Sequence, residues 1–337
     1  MKTIRIDFRD FKIFPNKQNN FVINTLKKHY DVVIDEEKPD YVFFGATGEL
    51  YLKYDGVRIQ YIAEPICPDF NMFDYSIGFD DIKFGDRYIH WPLCIAEERK
   101  LNLAMNKHLL GDEEFLSRQL FCNSVISSGG GHVGKRDRVY DEISKYKKID
   151  SGGRYRNNLP DGKPVKDKLE FQKKYKFSLA LENASYPGYT TEKIMDAWAA
   201  GSIPIYWGDP TITREFNPKS FVEIPQDADF EEVRNRIREI DENEELYLSM
   251  QHEPILLPDS GLYEKVMGDE LDRFLIGIFE QPLDRVYRRS SKFTMLGRFR
   301  EYDAQKWDRF EHSKVITWLR KTKRKYLGLK KIEGANK

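Results

Sequence analysis

Short apolar runs rich in β-branched and aromatic residues alternate along most of the chain with stretches of helical spacing, the pattern expected of parallel sheets flanked by helices. In the first half the runs predict strands at 2–8, 41–46, 57–63 and 75–79, with a helix near 19–29. In the second half they predict strands at 121–127, 176–182, 202–207 and 220–224, with helices near 136–147 and 192–200. The charged, weakly apolar segment 97–118 separates the two groups. The fold class expected is therefore α/β, two doubly wound units facing a cleft, with a domain at 1–118, a second at 119–280 and a tail at 281–337. From Asp303 onward, Trp307, Phe310, Val315, Trp318 and Leu319 recur at helical spacing, so the tail is expected to be helical.

A length of 337 residues agrees with two domains at roughly 150 residues each. With 33% charged and 40% hydrophobic residues the composition is globular rather than collagenous or disordered. Charge changes the picture more. The net charge of zero argues against a nucleic-acid binder, yet 281–337 holds 17 Lys+Arg against 6 Asp+Glu, leaving −11 on the rest of the chain. Lys314 to Lys331 contains eight basic residues and no acidic one. Such a tail fits either a helix lying on an anionic membrane surface or a packed helix with a solvated basic face. Cys67, Cys94 and Cys122 are odd in number and widely spaced, which predicts no disulfide framework and a reducing compartment. The alternating start MKTIRIDFRDF reads as a strand rather than a signal peptide, and no run of about 18 apolar residues occurs, so a cytoplasmic location is expected.

Residues 176–210 carry the most chemical information. A strand ending at Glu182-Asn183 is followed by a loop with Pro187 and Gly188, then by Thr190 or Thr191 as cap of a helix from Glu192 that Gly201 stops. Strand, loop and helix N-terminus offer backbone N–H groups to a phosphate, and Lys193 adds a full charge there; an ordinary βαβ unit would look the same. Gly129, Gly134 and Lys135 have P-loop spacing, but Arg136 stands where the Mg²⁺-binding Ser or Thr belongs. An arginine at a helix start can clamp a diphosphate, or be a solvated surface residue. The VVIDE run at 32–36 is too far upstream to complete such a site. Asp227-Ala228-Asp229 spells D-x-D, although Asp229 before Phe230, Val233 and Ile237 reads better as a helix cap. The six histidines, His90 and His132 among them, form no HxH or HExxH pair, so no metal site is expected. Glu64, ending an apolar run before Pro65, could serve as a general base or simply close a loop.

The run F-x-L-A-L-E-N-x-x-x-x-x-Y-x-T-E-K from Phe177 to Lys193, followed by A-G-S-I-P-I-Y-W-G at 200–208, resembles the donor-binding signature of the α1,3/1,4-fucosyltransferases, glycosyltransferase family 10, particularly their soluble bacterial members. Asp150 to Arg154, Arg136 with Tyr140, Phe70 to Asp80, and Asp86-Arg87-Tyr88 extend the similarity over about 38–225. The resemblance implies a GT-B architecture with two Rossmann-like domains, donor in the second and acceptor contacts in the first. It implies Glu64 as general base, Arg136 and Lys193 as diphosphate ligands, and Asn183, Tyr189 and Glu192 as lining of a GDP-fucose pocket. It also implies inverting transfer of fucose to an N-acetylglucosamine-containing glycan, most readily in α1,3 linkage, without an obligatory metal cofactor, a divalent ion being at most stimulatory. Ile66 stands where some relatives have a second glutamate, and the leucine-containing heptads of some relatives are absent. Two alternatives remain at this point: a GT-B transferase for another nucleotide sugar, and a carbohydrate-binding protein without activity.

Overall fold

The computed structural model describes residues 1–11, 16–48, 50–127 and 134–311, together with the isolated positions 313, 316, 318, 319 and 322. Gly129, His132, Lys314, Val315 and most of the basic run to Lys331 lie outside the described residues. The first sheet contains β1 (Lys2–Arg9), β2 (Tyr30–Ile34), β3 (Tyr41–Phe44), β4 (Val57–Tyr61), β5 (Tyr75–Gly78) and β6 (Tyr88–His90), in the order β2-β1-β3-β4-β5-β6. The second contains β7 (Leu120–Ser124), β8 (Ile149–Ser151), β9 (Tyr175–Leu181), β10 (Ile203–Trp207) and β11 (Val222–Glu223), in the order β11-β10-β9-β7-β8. Every pairing in both sheets is parallel. These are two Rossmann-like domains across a cleft, the GT-B arrangement expected.

The central strands are found where their continuous apolar runs place them, because β3, β4, β5 and β10 are buried on both faces. The strands not anticipated, β2, β6 and β8, are edge strands. Two of them have only three residues, too few for a periodic signal, and β2 contains the VVI of the apparent Walker-B run. Asp229 caps the helix Phe230–Glu242, accepting from the Glu231 N–H at 2.8 Å, so the D-x-D is a cap. All three cysteines are free. Among the described residues no helix is long and apolar enough to cross a membrane.

The chain does not keep to the expected partition. The helix Glu270–Phe279, which the sequence assigned to the second domain, places Leu271, Leu275, Ile278 and Phe279 in the core of the first, with the Phe279 ring 4.2 Å from that of Tyr41 and tilted by 38°. Val286 joins that core, and Tyr75 donates to its carbonyl at 2.9 Å. The start of the tail is therefore first-domain structure, and apolar burial across the sheet outweighs adjacency in sequence. Asp74 locks the return crossing. It is fully buried, and its carboxylate accepts from the backbone N–H groups of Arg58 (2.8 Å), Arg288 (2.7 Å) and Arg289 (2.9 Å) and pairs with the Arg289 guanidinium. The following helix, Met295–Glu311, is anchored by Glu301 to the buried Arg58 at 2.8 Å. Its other side turns Leu296, Phe299, Trp307 and Phe310 to solvent.

Asp74→Ala strands the Arg289 charge and three N–H donors in the interior. It should cost about 3–5 kcal/mol in denaturant unfolding, whereas replacing the exposed Asp284 should be near neutral.

Candidate active site

The carboxyl edges of the two sheets meet at a cavity of about 400 Å³. Its lining includes Ala63 and Glu64 after β4, Leu93 after β6, and Asn183, Tyr189, Thr191, Glu192 and Lys193 after β9. Glu97 and Lys100 complete it from the helix that starts at Glu98. A larger cavity of about 710 Å³ lies on the far side of that helix, beside Leu103, Lys107 and Ala200. It contains none of the expected residues, so the polar cavity between the domains is the candidate site.

The domains touch at the loop 183–189. Tyr189 is buried with Ile62 and Phe79 of the first domain, and its ring meets that of Phe79 edge-on at 5.3 Å. Gly188 has φ +78°, and a Cβ there would lie 2.7 Å from the Phe79 carbonyl, so only glycine permits this approach. Helix Glu192–Ala199 begins at the cavity and stops at Gly201, whose φ is +69°.

The N-terminus of this helix differs from expectation. Thr191 takes the cap position, but its side chain makes no capping bond. The anion there is Glu182, fully buried at the end of β9, which accepts from the Thr191 N–H and hydroxyl, each at 2.8 Å, and from Lys193 Nζ at 2.9 Å. Lys193 Nζ also donates to the Thr191 hydroxyl oxygen at 2.8 Å. Part of the positive helix end is thus already satisfied by the protein's own carboxylate. Burial works to lower the Lys193 pKa, but Glu182 and Glu192 outweigh it and hold the ammonium well above its ordinary value.

Glu64 is half-buried, and its carboxylate makes no hydrogen bond or ion pair with any described residue. Desolvation raises its pKa, Lys193 across the cavity opposes the rise, and Glu192 and Glu182 add to it. Glu192 is pushed up by burial but held below the usual carboxylate value by Lys193 and Lys168. Arg136 is not on the cavity wall. It sits behind Asn183, donating to the carbonyls of Glu182 (2.8 Å) and Leu181 (2.9 Å) and to the Asn183 side-chain oxygen. Gly134, in the left-handed region, precedes its helix, Lys135–Ser144. Of the six expected residues, then, five line one cavity and the sixth braces one of them. Among the described residues no cluster of His, Cys, Asp and Glu could hold a metal.

The N-terminal domain model of α-(1,3)-fucosyltransferase FucT matches residues 6–96, and the C-terminal model of glycosyltransferase family 10, the fucosyltransferases, matches residues 117–252. The chain belongs to glycosyltransferase family 10. It is 31% identical over 280 residues to α-(1,3)-fucosyltransferase FucT of Helicobacter pylori, covering 72% of this chain and 57% of that protein. It is 29% identical over 266 residues to a putative fucosyltransferase, R654, of Acanthamoeba polyphaga mimivirus, covering 74% and 40%. A crystal structure of an α1,3-fucosyltransferase with GDP superimposes with a TM-score of 0.70 at 26% identity, covering 86% of this chain and 93% of that one. The chain thus spans about three-fifths or less of the length of these two relatives, and nearly all of the crystallised chain.

Both family models leave out 97–116, and sequence reading did not anticipate that Glu97 and Lys100 of that segment line the cavity. Lys100 reaches Asp196 and Glu97, each at 2.8 Å, while Lys168 binds the other Asp196 oxygen at 2.6 Å. A lysine in a charged, weakly apolar stretch gives no sign of facing a cleft. Glu182 was readable as the end of a strand and as the residue before Asn183 in the family signature, with no role of its own. Its role appears through Gly208, the last residue of A-G-S-I-P-I-Y-W-G, where a Cβ would lie 2.7 Å from the Glu182 Cβ and 2.8 Å from the Tyr206 hydroxyl. Gly208→Ala should therefore push Glu182 off Thr191 and lower stability by roughly 1–3 kcal/mol in thermal or denaturant unfolding.

Proposed function

We propose that this family 10 protein is an inverting fucosyltransferase, moving L-fucose from GDP-fucose to a hydroxyl of an N-acetyllactosamine-type glycan in α1,3 linkage. The observation that carries the reading is one cavity in which Glu64 from the first domain faces Lys193 and the helix N-terminus of the second. The relatives named for fucosyl transfer, and the crystallised relatives with GDP and with GDP-fucose, support the choice of donor. In this reading the acceptor oxygen attacks the anomeric carbon of fucose from the face opposite GDP. The bond from that carbon to the β-phosphate oxygen breaks, and the acceptor proton passes to Glu64. Lys193 meets the charge on the departing diphosphate, with Arg136 keeping Asn183 and the end of β9 in place. Lys193 and the helix N-terminus supply this stabilisation, so the reading calls for no obligatory metal. Incubation with GDP-fucose, other sugar nucleotides and a panel of N-acetyllactosamine-type acceptors, with product linkage read by NMR, tests donor, acceptor and linkage together. Transfer from a different sugar nucleotide, or none from any, would overturn the corresponding part.

The same reading includes a peripheral association with the cytoplasmic face of the inner membrane, where lipid-linked glycans serve as acceptors. It is supported by the outward stripe on helix Met295–Glu311, where Trp307 is 65% and Phe310 53% exposed, and by the eight basic residues of Lys314 to Lys331. Apolar rings beside lysines and arginines suit an anionic headgroup layer, at about 1 kcal/mol per basic residue.

Glu64→Gln should bind GDP almost normally while transfer slows by roughly 10²–10⁴. Since the base must be ionised and its pKa is raised, kcat/KM of the native enzyme should fall on acidification through a limb above the ordinary glutamate range, and Glu64→Gln should lack that limb. Lys193→Ala should instead weaken GDP binding roughly 10–150-fold, the loss of one charge-assisted contact. For the tail, full-length protein should float with anionic liposomes and lose this in high salt, while a chain ending at Tyr302 should stay in solution. Equal flotation of both would make the tail a structural element only.

A further inference from the structure

Glu182 is the buried charge for which the proposed mechanism has no task. It does not line the cavity, its side chain has no solvent exposure, and Gly208 and Tyr206 close over it from β10. Its partners lead one way: toward Thr191, and through Thr191 and directly to Lys193 Nζ at 2.9 Å. A buried carboxylate that lost these partners would be strongly unfavourable, so the three groups form one rigid unit. A flexible lysine side chain then presents its ammonium to the cleft in a fixed place.

We propose that Glu182 is a positioning residue for the donor site, holding Lys193 through the Glu182–Thr191–Lys193 triangle and never touching the donor itself. The inference rests on the reading of Lys193 as the diphosphate ligand. Lys193 is faced by Glu182 from the end of β9, by Tyr189 from the loop, by Glu192 from its own helix and by Glu64 from the first domain. Lys100 and Lys168 are held further along the helix at Asp196. Of the carboxylates, Glu182 makes the closest contact, at 2.9 Å against 3.6 Å for Glu192, and it is the one fully screened from water. Without it, burial would act on Lys193 with less opposition, and the ammonium would lose its proton at lower pH.

The test compares wild type, Glu182→Gln, Lys193→Ala and the double variant in GDP titrations and donor kinetics from about pH 7 to about pH 10. Wild-type affinity should be nearly flat over this range. In Glu182→Gln, GDP affinity and kcat/KM should fall roughly tenfold further at the alkaline end than at neutral pH, and recover when the pH is returned. Adding Glu182→Gln to Lys193→Ala should change GDP affinity by less than about twofold, because the effect runs through Lys193. An equal effect in both backgrounds would overturn the proposal, as would a Glu182→Gln profile parallel to wild type. A second readout needs no donor: in [¹⁵N]lysine-labelled protein the Nζ signal absent from Lys193→Ala should titrate at least about one pH unit lower in Glu182→Gln. A shifted signal with unaltered GDP binding would show that Glu182 holds Lys193 but that Lys193 is not the diphosphate ligand, and would overturn the donor-site role together with that reading. An unshifted signal would reject the positioning. If Glu182→Gln fails to fold, Glu182→Asp, which draws the carboxylate back from Lys193 Nζ, should give the same sign in both measurements, and no change in either would overturn the proposal.

Discussion

Helix Glu192–Ala199 has to be covered on every side. Ile194 through Ala199 are all buried, so β9 and β10 beneath the helix cannot satisfy it alone, and a second layer must come from elsewhere. That layer is the stretch from Cys94 to Ala104, which leaves the first domain and lays Cys94, Ile95, Leu101 and Ala104 against Ile194, Met195 and Trp198. Asp196, buried within this contact, is held by Lys100 from the covering layer and Lys168 from its own domain. The rest of the site follows from this packing. Once the connecting segment is fixed over the helix, the end of β6 and the loop after β4 are brought to the helix N-terminus, and Glu64 comes to face Lys193.

The resulting cleft concentrates carboxylates. Glu64, Glu97, Glu182 and Glu192 lie in or directly behind it, against Lys100 and Lys193 on its wall and Arg136 behind. The carboxylates are not equivalent. Glu182 is fully buried and bonded to a hydroxyl, an amide and an ammonium. Glu97 and Glu192 are partnered and partly exposed. Glu64 alone of the four is without a described partner, and desolvation acts on it with only Lys193 to oppose. Different surroundings thus sort one residue type into a fully bonded structural group and an unpartnered one facing the cavity.

The return of the chain to the first domain at Leu271 to Val286 adds a second constraint on the two halves. The second domain is tethered at both ends, by the segment after β6 and by the helix Glu270–Phe279. Asp74 closes the second tether, and Arg58, bonded to Asp74 through its backbone and to Glu301 through its side chain, carries the lock on to the tail helix. Charged interior groups here hold in place the crossing that the apolar face of Glu270–Phe279 begins.

What the amino-acid sequence determined by itself was whatever repeats locally or is spelled in a contiguous run. The buried central strands show as apolar stretches because both of their faces are covered. The strand, loop and helix of 176–200 lie within one continuous segment, so Lys193 and the helix start could be read together, while Asn183, Tyr189 and Glu192 were implied by the family signature that the segment resembles. Edge strands of three residues had no period to show. Glu64 was visible as a strand-end glutamate, but its distance in sequence from Lys193 meant that only packing could set them in one cavity. The same holds for Lys100, which lies in a segment of unremarkable composition, and for Glu270–Phe279, whose apolar face fits either domain equally well until a sheet is there to receive it. Arg136 carried the right charge for a phosphate clamp, yet its guanidinium is directed to the carbonyls of Leu181 and Glu182, a choice made by the geometry of a strand end. Charge and hydrophobicity are properties of a residue, whereas the partner that gives a charge its task is a property of distance, and distances between remote residues exist only in the folded chain.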